Sequence, residues 1–202
     1  MGDGALIKRK NRRTYEIQYY QKSKERLKSS IIPRLEQVGI STSIKGFYRN
    51  SYYLKFGNKQ LYLLFKQSQE DITKIFNYPQ LAQEFVKGFF DAEGSVPHVE
   101  KYLRGERKRK RIPPQIGFHQ NGEDSKFILQ CIRDFLIQNG IKCSKISGPL
   151  HRKQSNKPEY RFFIYGTKEI KKFFFLIQPE HPEKRRRIIL LLLHVGSGNR
   201  KL

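Results

Sequence analysis

The sequence predicts an α+β protein built twice from one strand–helix–strand–helix plan. Three observations predict it. Hydrophobic spacing switches repeatedly between a period of two and a helical period. Three pairs of similar segments recur in the same order along the chain. The chain is also strongly basic yet rich in aromatic residues, a balance that suits a folded domain with a polyanionic partner.

The 202 residues include 41 Lys+Arg against 18 Asp+Glu, a formal net charge of +23. Disorder is excluded by the 37% hydrophobic and 13% aromatic content, too high for a chain that cannot collapse. Nucleic acid is the leading partner and a membrane surface the second. The two cysteines, Cys131 and Cys143, form no CxxC pair. That excludes a disulfide scaffold and a zinc finger and fits a reducing, intracellular compartment. The longest apolar run, Ile188 to Leu193, is far shorter than a membrane span, and the N-terminus has no signal-peptide pattern.

The repeats carry the domain organisation. Residues 16–40, EIQYYQKSKERLKSSIIPRLEQVGI, match residues 115–141, QIGFHQNGEDSKFILQCIRDFLIQNGI. YYLKFGNKQL at 52–61 matches RFFIYGTKEI at 161–170, and GDGAL at 2–6 matches EGSV at 93–96. The offset grows in order, from 90 at Asp3 and Glu93 to 109 at Gly57 and Gly166. A duplication with loop insertions leaves that trace, and the period is too long for a solenoid. Two half-domains are expected, 1–78 and 79–195, with a disordered tail from 196 to 202.

In the first half, Tyr15, Ile17 and Tyr19 alternate with Thr14, Glu16, Gln18 and Tyr20, so one strand is expected with its apolar set inward. Leu27, Ile31, Leu35 and Val38 then fall at helical spacing over 24–38, closed by Gly39. Tyr52, Leu54 and Phe56 restore the strand period, and Lys59 to Phe65 opens a further helix. Between the halves, Pro79 suits the first turn of a helix that runs through Leu81, Phe85, Val86, Phe89 and Phe90. The second half repeats the plan with Ile116 and Phe118 on a strand, then Phe127, Ile128, Cys131, Ile132, Phe135 and Leu136 on a helix. The basic insert 101–112 reads as a solvated hairpin tip or loop.

The helix 81–94, LAQEFVKGFFDAEG, is the most specific signal. Gly88 and Ala92 are small and four apart, so a second helix could approach closely. The helix ends in Asp91 and Glu93, where a carboxylate opposes the negative end of the helix dipole. A bound divalent cation would reverse that penalty. An ordinary core helix with a glycine cap is the competing reading.

FVKGFFDAEG resembles the second motif of the LAGLIDADG homing endonucleases. The resemblance covers the whole chain, because monomeric members of that family carry two motifs, each followed by such a half-domain. It implies a pseudo-twofold αββαββα duplication with saddle-shaped antiparallel sheets, each of four strands and each lying in the DNA major groove. The family's acidic residue precedes the motif's last glycine. It corresponds to Glu93 in the second half and to Asp3 in the first, where Gly2-Asp3-Gly4 stands for the tail of a first motif whose helix is truncated.

The resemblance implies cleavage of double-stranded DNA at a long asymmetric site, with two or three divalent ions. Asp3 and Glu93 are the implied metal ligands, and Mg²⁺ suits such an all-oxygen set. Gln21 and Gln120, each at the end of the strand before a long helix, are implied to orient water or contact phosphate. Ordinary turn chemistry is their alternative role. Lys184, in QPEHPEKRRR, is implied to stabilise developing charge, and Lys74 is its weak first-half counterpart. Strand parity then gives the DNA-facing positions: Ile7, Arg9, Asn11, Arg13, Thr14, Glu16, Gln18, Tyr20, Tyr53 and Lys55 in the first half. Val99, Lys101, Gln115, Gly117 and His119 are those of the second half. Arg, Lys, Gln and Glu there can read base edges, whereas Lys22 and other cations bind phosphate.

The five histidines, His98, His119, His151, His181 and His194, have no metal-ligand spacing, and no P-loop, GxSxG or GxGxxG occurs. A free-standing, intron-encoded homing endonuclease is therefore the first expectation, in a prokaryotic cytoplasm or an organelle. A non-cleaving maturase or DNA-binding module of the same fold is the second, with intron RNA as a further partner. A monomer is expected, or a dimer if the first motif helix is absent. A basic structural protein would explain the charge but neither the DAEG helix nor the ordered repeats.

Overall fold

The structure, a computed structural model, describes residues 4–8, 15–48, 50–105, 113–150 and 157–196. The chain divides into two compact units, Met1–Ile72 and Thr73–Leu202.

In the first unit, β1 (Gly4–Lys8) pairs antiparallel with β2 (Tyr15–Gln21), setting Leu6 opposite Ile17. Ser23 opens α1 (Lys24–Arg26), its Oγ accepting from the backbone N–H of Arg26. A π-helical turn, Leu27–Ile31, leads into α2 (Ile32–Gln37). The single helix expected over 24–38 is therefore interrupted. Pro33 has no N–H to donate and its ring crowds the preceding turn, which the wider π turn relieves. Gly39, at φ +76°, ends the helix as expected. β3 (Ile44–Tyr48) and β4 (Ser51–Gly57) form a tight hairpin, with Asn50 in the left-handed region. Asn58 caps α3 (Lys59–Glu70), its Oδ1 accepting from Leu61 N–H at 2.8 Å. The sheet order is β1-β2-β4-β3. Ile17, Leu27, Leu54, Phe56 and Tyr62 form the core beneath it.

The second unit begins with α4 (Thr73–Phe76) and α5 (Pro79–Glu93), the latter with proline in its first turn. The Phe76 ring meets Phe85 and Phe135 at 5.6 and 6.2 Å, which ties α4, and Lys74 with it, to this unit. Next come β5 (Gly94–Ser95), α6 (Val99–Leu103), β6 (Gln115–Asn121) and α7 (Ser125–Gln138). β7 (Ser147–Leu150), β8 (Glu159–Tyr165), α8 (Thr167–Ile177) and α9 (Pro182–Gly196) complete it. Its sheet order is β5-β6-β8-β7, the same permutation as in the first unit. The core is aromatic: Phe89, Phe90, Phe118, Phe162 and Phe173 are all buried, with Phe118 and Phe162 stacked at 4.8 Å. Each such burial contributes about 1.5–3 kcal/mol.

The registers identify equivalent positions. Ile17 faces Phe56 in one sheet and Ile116 faces Ile164 in the other. Gln21 faces Tyr52 and Gln120 faces Tyr160. β4 and β8 also share one pattern of buried and exposed residues. The sheets thus carry out the duplication that the ordered repeats predict, with one correction of register: β4 and β8 correspond at an offset one residue shorter than the sequence match, so Tyr53, not Tyr52, is the counterpart of Arg161, and Gly57 that of Tyr165.

The expected strand through Val99 and Lys101 is corrected. β5 stops after two residues, because Pro97 cannot donate to a ladder, and the chain turns into α6. Val99 is fully buried in the core and cannot face DNA. Lys101 is half-buried on a helix, not on a β-ribbon. The start of the insert expected as a loop is therefore helical, and 106–112 lie outside the described residues. No helix among the described residues is long and apolar enough to cross a membrane.

Candidate nucleic-acid interface and acidic helix end

In the first unit, β2 and β4 alternate as the sequence predicts. Ile17, Leu54 and Phe56 point into the core, and Glu16, Gln18, Tyr20, Tyr53 and Lys55 share the opposite face. On that face the side chains are joined. Tyr20 Oη donates to Gln18 Oε1 at 2.5 Å, Gln18 Nε2 donates to Glu16 Oε1 at 2.7 Å, and Lys55 Nζ lies 2.8 Å from Glu16 Oε2. Glu16 is consequently buried, its charge held by Lys55. Tyr20 and Tyr53 face each other across the ladder with ring centroids 5.7 Å apart. Ile7, half-buried on β1, pairs with Glu16. Arg9, Asn11, Arg13 and Thr14 lie outside the described residues.

In the second unit the corresponding face carries Gln115, Gly117 and His119 on β6, with Tyr165, Phe163 and Arg161 opposite them on β8. Gly117 is buried and supplies no side chain. A Cβ there would meet Ser95 Oγ at 2.7 Å and the Phe163 ring at 2.9 Å, so glycine lets that ring lie across the strand. The guanidinium of Arg161 sits 5.7 Å from the Phe163 ring centre. Arg161, Phe163 and Tyr165 were not anticipated. The alternation that gives Tyr53 and Lys55 would have found them, because β8 is the equivalent of β4.

The two glutamines diverge. Gln21 Oε1 accepts from Lys22 N–H at 2.8 Å and Ser23 N–H at 3.5 Å, which is turn chemistry before a helix. Lys22 itself is exposed. Gln120 Oε1 is buried, and no hydrogen bond reaches it among the described residues.

The C-terminal end of α5 is the most organised polar site in the second unit. Asp91 is buried, and its Oδ2 accepts from the backbone N–H groups of Glu180 and His181, both at 3.1 Å. That pins the segment before α9 to the helix end. Lys184 then reaches the last carbonyls of α5: Phe90 at 2.8 Å, Asp91 at 3.0 Å and Ala92 at 3.3 Å. The Phe90 oxygen already accepts from Gly94 N–H, so the ammonium adds a second donor there, serves the Asp91 and Ala92 carbonyls as well, and brings a positive charge to the negative end of the dipole. Glu93, half-buried at the same end, makes no hydrogen bond or ion pair among the described residues. Its carboxylate therefore stands beside a helix end already neutralised by Lys184. Asp3 lies outside the described residues.

The arginine run after Lys184 is partly paired. Arg186 bonds Glu100 and Arg187 bonds Glu183. Glu100 is held below the usual carboxylate range by its own backbone N–H, with Arg186 adding to the effect. His98 nearby is lowered by burial and by Arg187. Among the described residues no group of three or more His, Cys, Asp or Glu side chains is placed to hold a metal by itself.

No protein-family model matches the sequence, and no curated protein matches it. Solved structures do. The homing endonuclease I-DmoI in complex with DNA and Ca aligns over 91% of this chain and 88% of its own, at 20% identity and TM-score 0.63. I-WcaI bound to its DNA recognition sequence aligns over 93% of this chain and 80% of its own, at 16% identity and TM-score 0.57. Full-length WhiA from Thermatoga maritima aligns over 86% of this chain and 52% of its own, at 16% identity and TM-score 0.51. Identities this low speak for architecture alone, and the architecture of this chain is the homing endonuclease fold.

Proposed function

We propose that this chain is a metal-dependent endonuclease that cuts double-stranded DNA at a long, asymmetric site. The observation that carries the reading is the end of α5, where Glu93 presents an unengaged carboxylate beside carbonyls already capped by Lys184. The similar I-DmoI structures, described with DNA and Mg, Mn or Ca, support it.

Glu93, with Asp3, would hold the ion. One or two carboxylates completed by substrate phosphate oxygens are a donor set that Mg²⁺ accepts, so the residues fit. When bound, the ion supplies charge neutralisation at the phosphate and a water of lowered pKa. The chain's own residues do the rest. Lys184 keeps the helix end from repelling the phosphate. Gln120, with its buried oxygen, and Gln21, through its turn, would orient water or phosphate at the strand ends. The outward sheet faces would read base edges through Gln18, Lys55, Gln115, His119 and Arg161. Arg9, Asn11 and Arg13 would extend that set, and Lys22 would contact phosphate. Intron encoding and action inside a cell belong to the same reading, whereas a role in RNA splicing belongs to the alternative, a non-cleaving maturase of the same fold.

The test is Glu93→Gln, which keeps shape and removes charge. Target duplexes are recovered from a randomised pool by binding in Ca²⁺ and then offered Mg²⁺. The variant should lose cleavage while its DNA affinity in Ca²⁺ stays within about tenfold, or roughly 1.4 kcal/mol. Equal cleavage by both proteins removes Glu93 from the metal site. Tight binding with no cleavage by the parent chain would make it a non-cleaving DNA-binding module.

A further inference from the structure

β8 lies between β6 and β7, so its outward side chains stand in the middle of the second sheet. Arg161, Phe163 and Tyr165 form a row there. The Phe163 ring is 5.8 Å from the Tyr165 ring on one side and 5.7 Å from the Arg161 guanidinium on the other. Across the ladder it faces Gly117, where a Cβ would come within 2.9 Å of it. The Phe163 backbone is held as well. Its N–H donates to Ser144 Oγ at 2.9 Å, and its carbonyl accepts from Ser144 N–H at 2.8 Å. The ring is thus a platform fixed from several sides.

The guanidinium on that platform is not engaged by the protein. Among the described residues no oxygen accepts from it, and its Nε is buried. The first sheet differs, because Lys55 on its outward face already lies 2.8 Å from Glu16 Oε2. A planar fork of N–H donors loses water on entering a contact, which is costly unless acceptors replace it. Duplex DNA offers two kinds of acceptor pair, phosphate oxygens and the O6 and N7 atoms of guanine. Placement and geometry choose between them. The middle of a sheet laid in the major groove meets base edges, whereas phosphates border the groove. A ring beneath the guanidinium also fixes its plane, which matters for two bonds to one planar base edge.

We infer that Arg161 reads one guanine of a DNA duplex through O6 and N7, and that Phe163 is the positioning residue that sets its plane. The inference rests on the DNA partner and the sheet contacts of the proposed function and needs no cleavage.

The experiment sequences duplexes recovered from a randomised pool by binding to the whole chain in Ca²⁺. Arg161→Met should lose a guanine preference at one position and keep the others. Phe163→Leu should weaken the preference at that same position. The recovered duplex is then remade at that position with 7-deazaguanine, which lacks N7, and with hypoxanthine, which keeps both O6 and N7. The first should weaken binding by the parent chain about tenfold, the equivalent of about 1.4 kcal/mol, and the second should not. Arg161→Met should bind all three duplexes alike. Arg161→Gln carries the same test should Arg161→Met not fold.

A loss spread evenly over every sequence makes Arg161 a phosphate contact and overturns the inference. An unchanged profile overturns it too, as does equal sensitivity to 7-deazaguanine in parent and variant. Phe163→Leu with the preference intact, or with every position relaxed, overturns the positioning role. In all these cases the parent chain still selects a sequence, so the DNA partner stands. A parent chain that recovers no preferred sequence overturns this inference and the base reading of the proposed function together.

Discussion

Lys184 provides a direct test of how the α5 end is built. Lys184→Met keeps the length of the side chain and removes its charge and three donors. The three bonds share one ammonium and one desolvation, so their energies do not add. A single charge-assisted hydrogen bond contributes about 1.5–3 kcal/mol net, and a cation at a helix C-terminus about 0.3–1 kcal/mol. Lys184 is half-buried, and its Nζ also lies 5.6 Å from the Phe90 ring centre. The expected loss is therefore about 2–3 kcal/mol. With a urea m-value of about 2 kcal/mol/M, the unfolding midpoint should drop by roughly 1 M. In the Met background Glu93 faces an uncompensated dipole, so adding Glu93→Gln should recover about 0.3–1 kcal/mol. The same change in the parent chain should recover less. A loss below about 0.5 kcal/mol for Lys184→Met, which is typical of an uninvolved surface residue, would refute the cap and the argument that it prepares the site.

Three further outcomes follow from single positions. Gly88 is exposed in the middle of α5 and nothing lies within 4 Å of an added Cβ, so Gly88→Ala should stabilise by about 0.5–1 kcal/mol in urea unfolding. A loss instead would mean that another helix packs against that face. Gly117→Ala should cost about 1–2 kcal/mol, because Ser95 Oγ and the Phe163 ring must both move; a neutral result would show that they move freely. Glu169 is buried and accepts from Lys142 N–H at 2.8 Å, which holds its pKa below the ordinary 4.5 with help from Lys172. Its contribution is complete above pH 4.5 and is lost as pH falls through the lower folded value. Glu169→Gln should flatten that acid-side loss of stability, and an unchanged pH profile would remove Glu169 as its source.

Local features were the legible ones. Strand parity gave Ile17, Leu54 and Ile116 as inward because a period of two is written in neighbouring residues. Gly39 and Pro79 marked helix ends because their backbone chemistry is intrinsic, and Gly39 takes positive φ. What failed depended on distant partners. Val99 is buried in the core on α6, which packs against α9 more than eighty residues later; Pro97 announced the end of the strand but not that burial. The acidic end of α5 could be read as an electrostatic conflict, but its resolution could not. Lys184 reaches Asp91's carbonyl across 93 positions of sequence. The π turn was equally hidden, since Pro33 announces a disturbance without saying whether the helix breaks or widens.

The two sheets show which constraints survived duplication. Inward positions kept their chemistry: Ile17 and Ile116, Leu54 and Phe162, Phe56 and Ile164 are all buried and apolar. Outward positions did not. Tyr53 in one sheet stands where Arg161 stands in the other, and Lys55 where Phe163 stands, so ring and cation have changed places. Tyr20 likewise corresponds to His119, and Gln18 to Gly117. A core tolerates only apolar exchange of similar volume, which holds the inner faces together. The outer faces carry no such restriction, and two copies that contacted identical surfaces would have no reason to diverge in charge and shape. On the proposed function that divergence suits an asymmetric partner: one frame, used twice, would present different chemistry to two different stretches of nucleic acid.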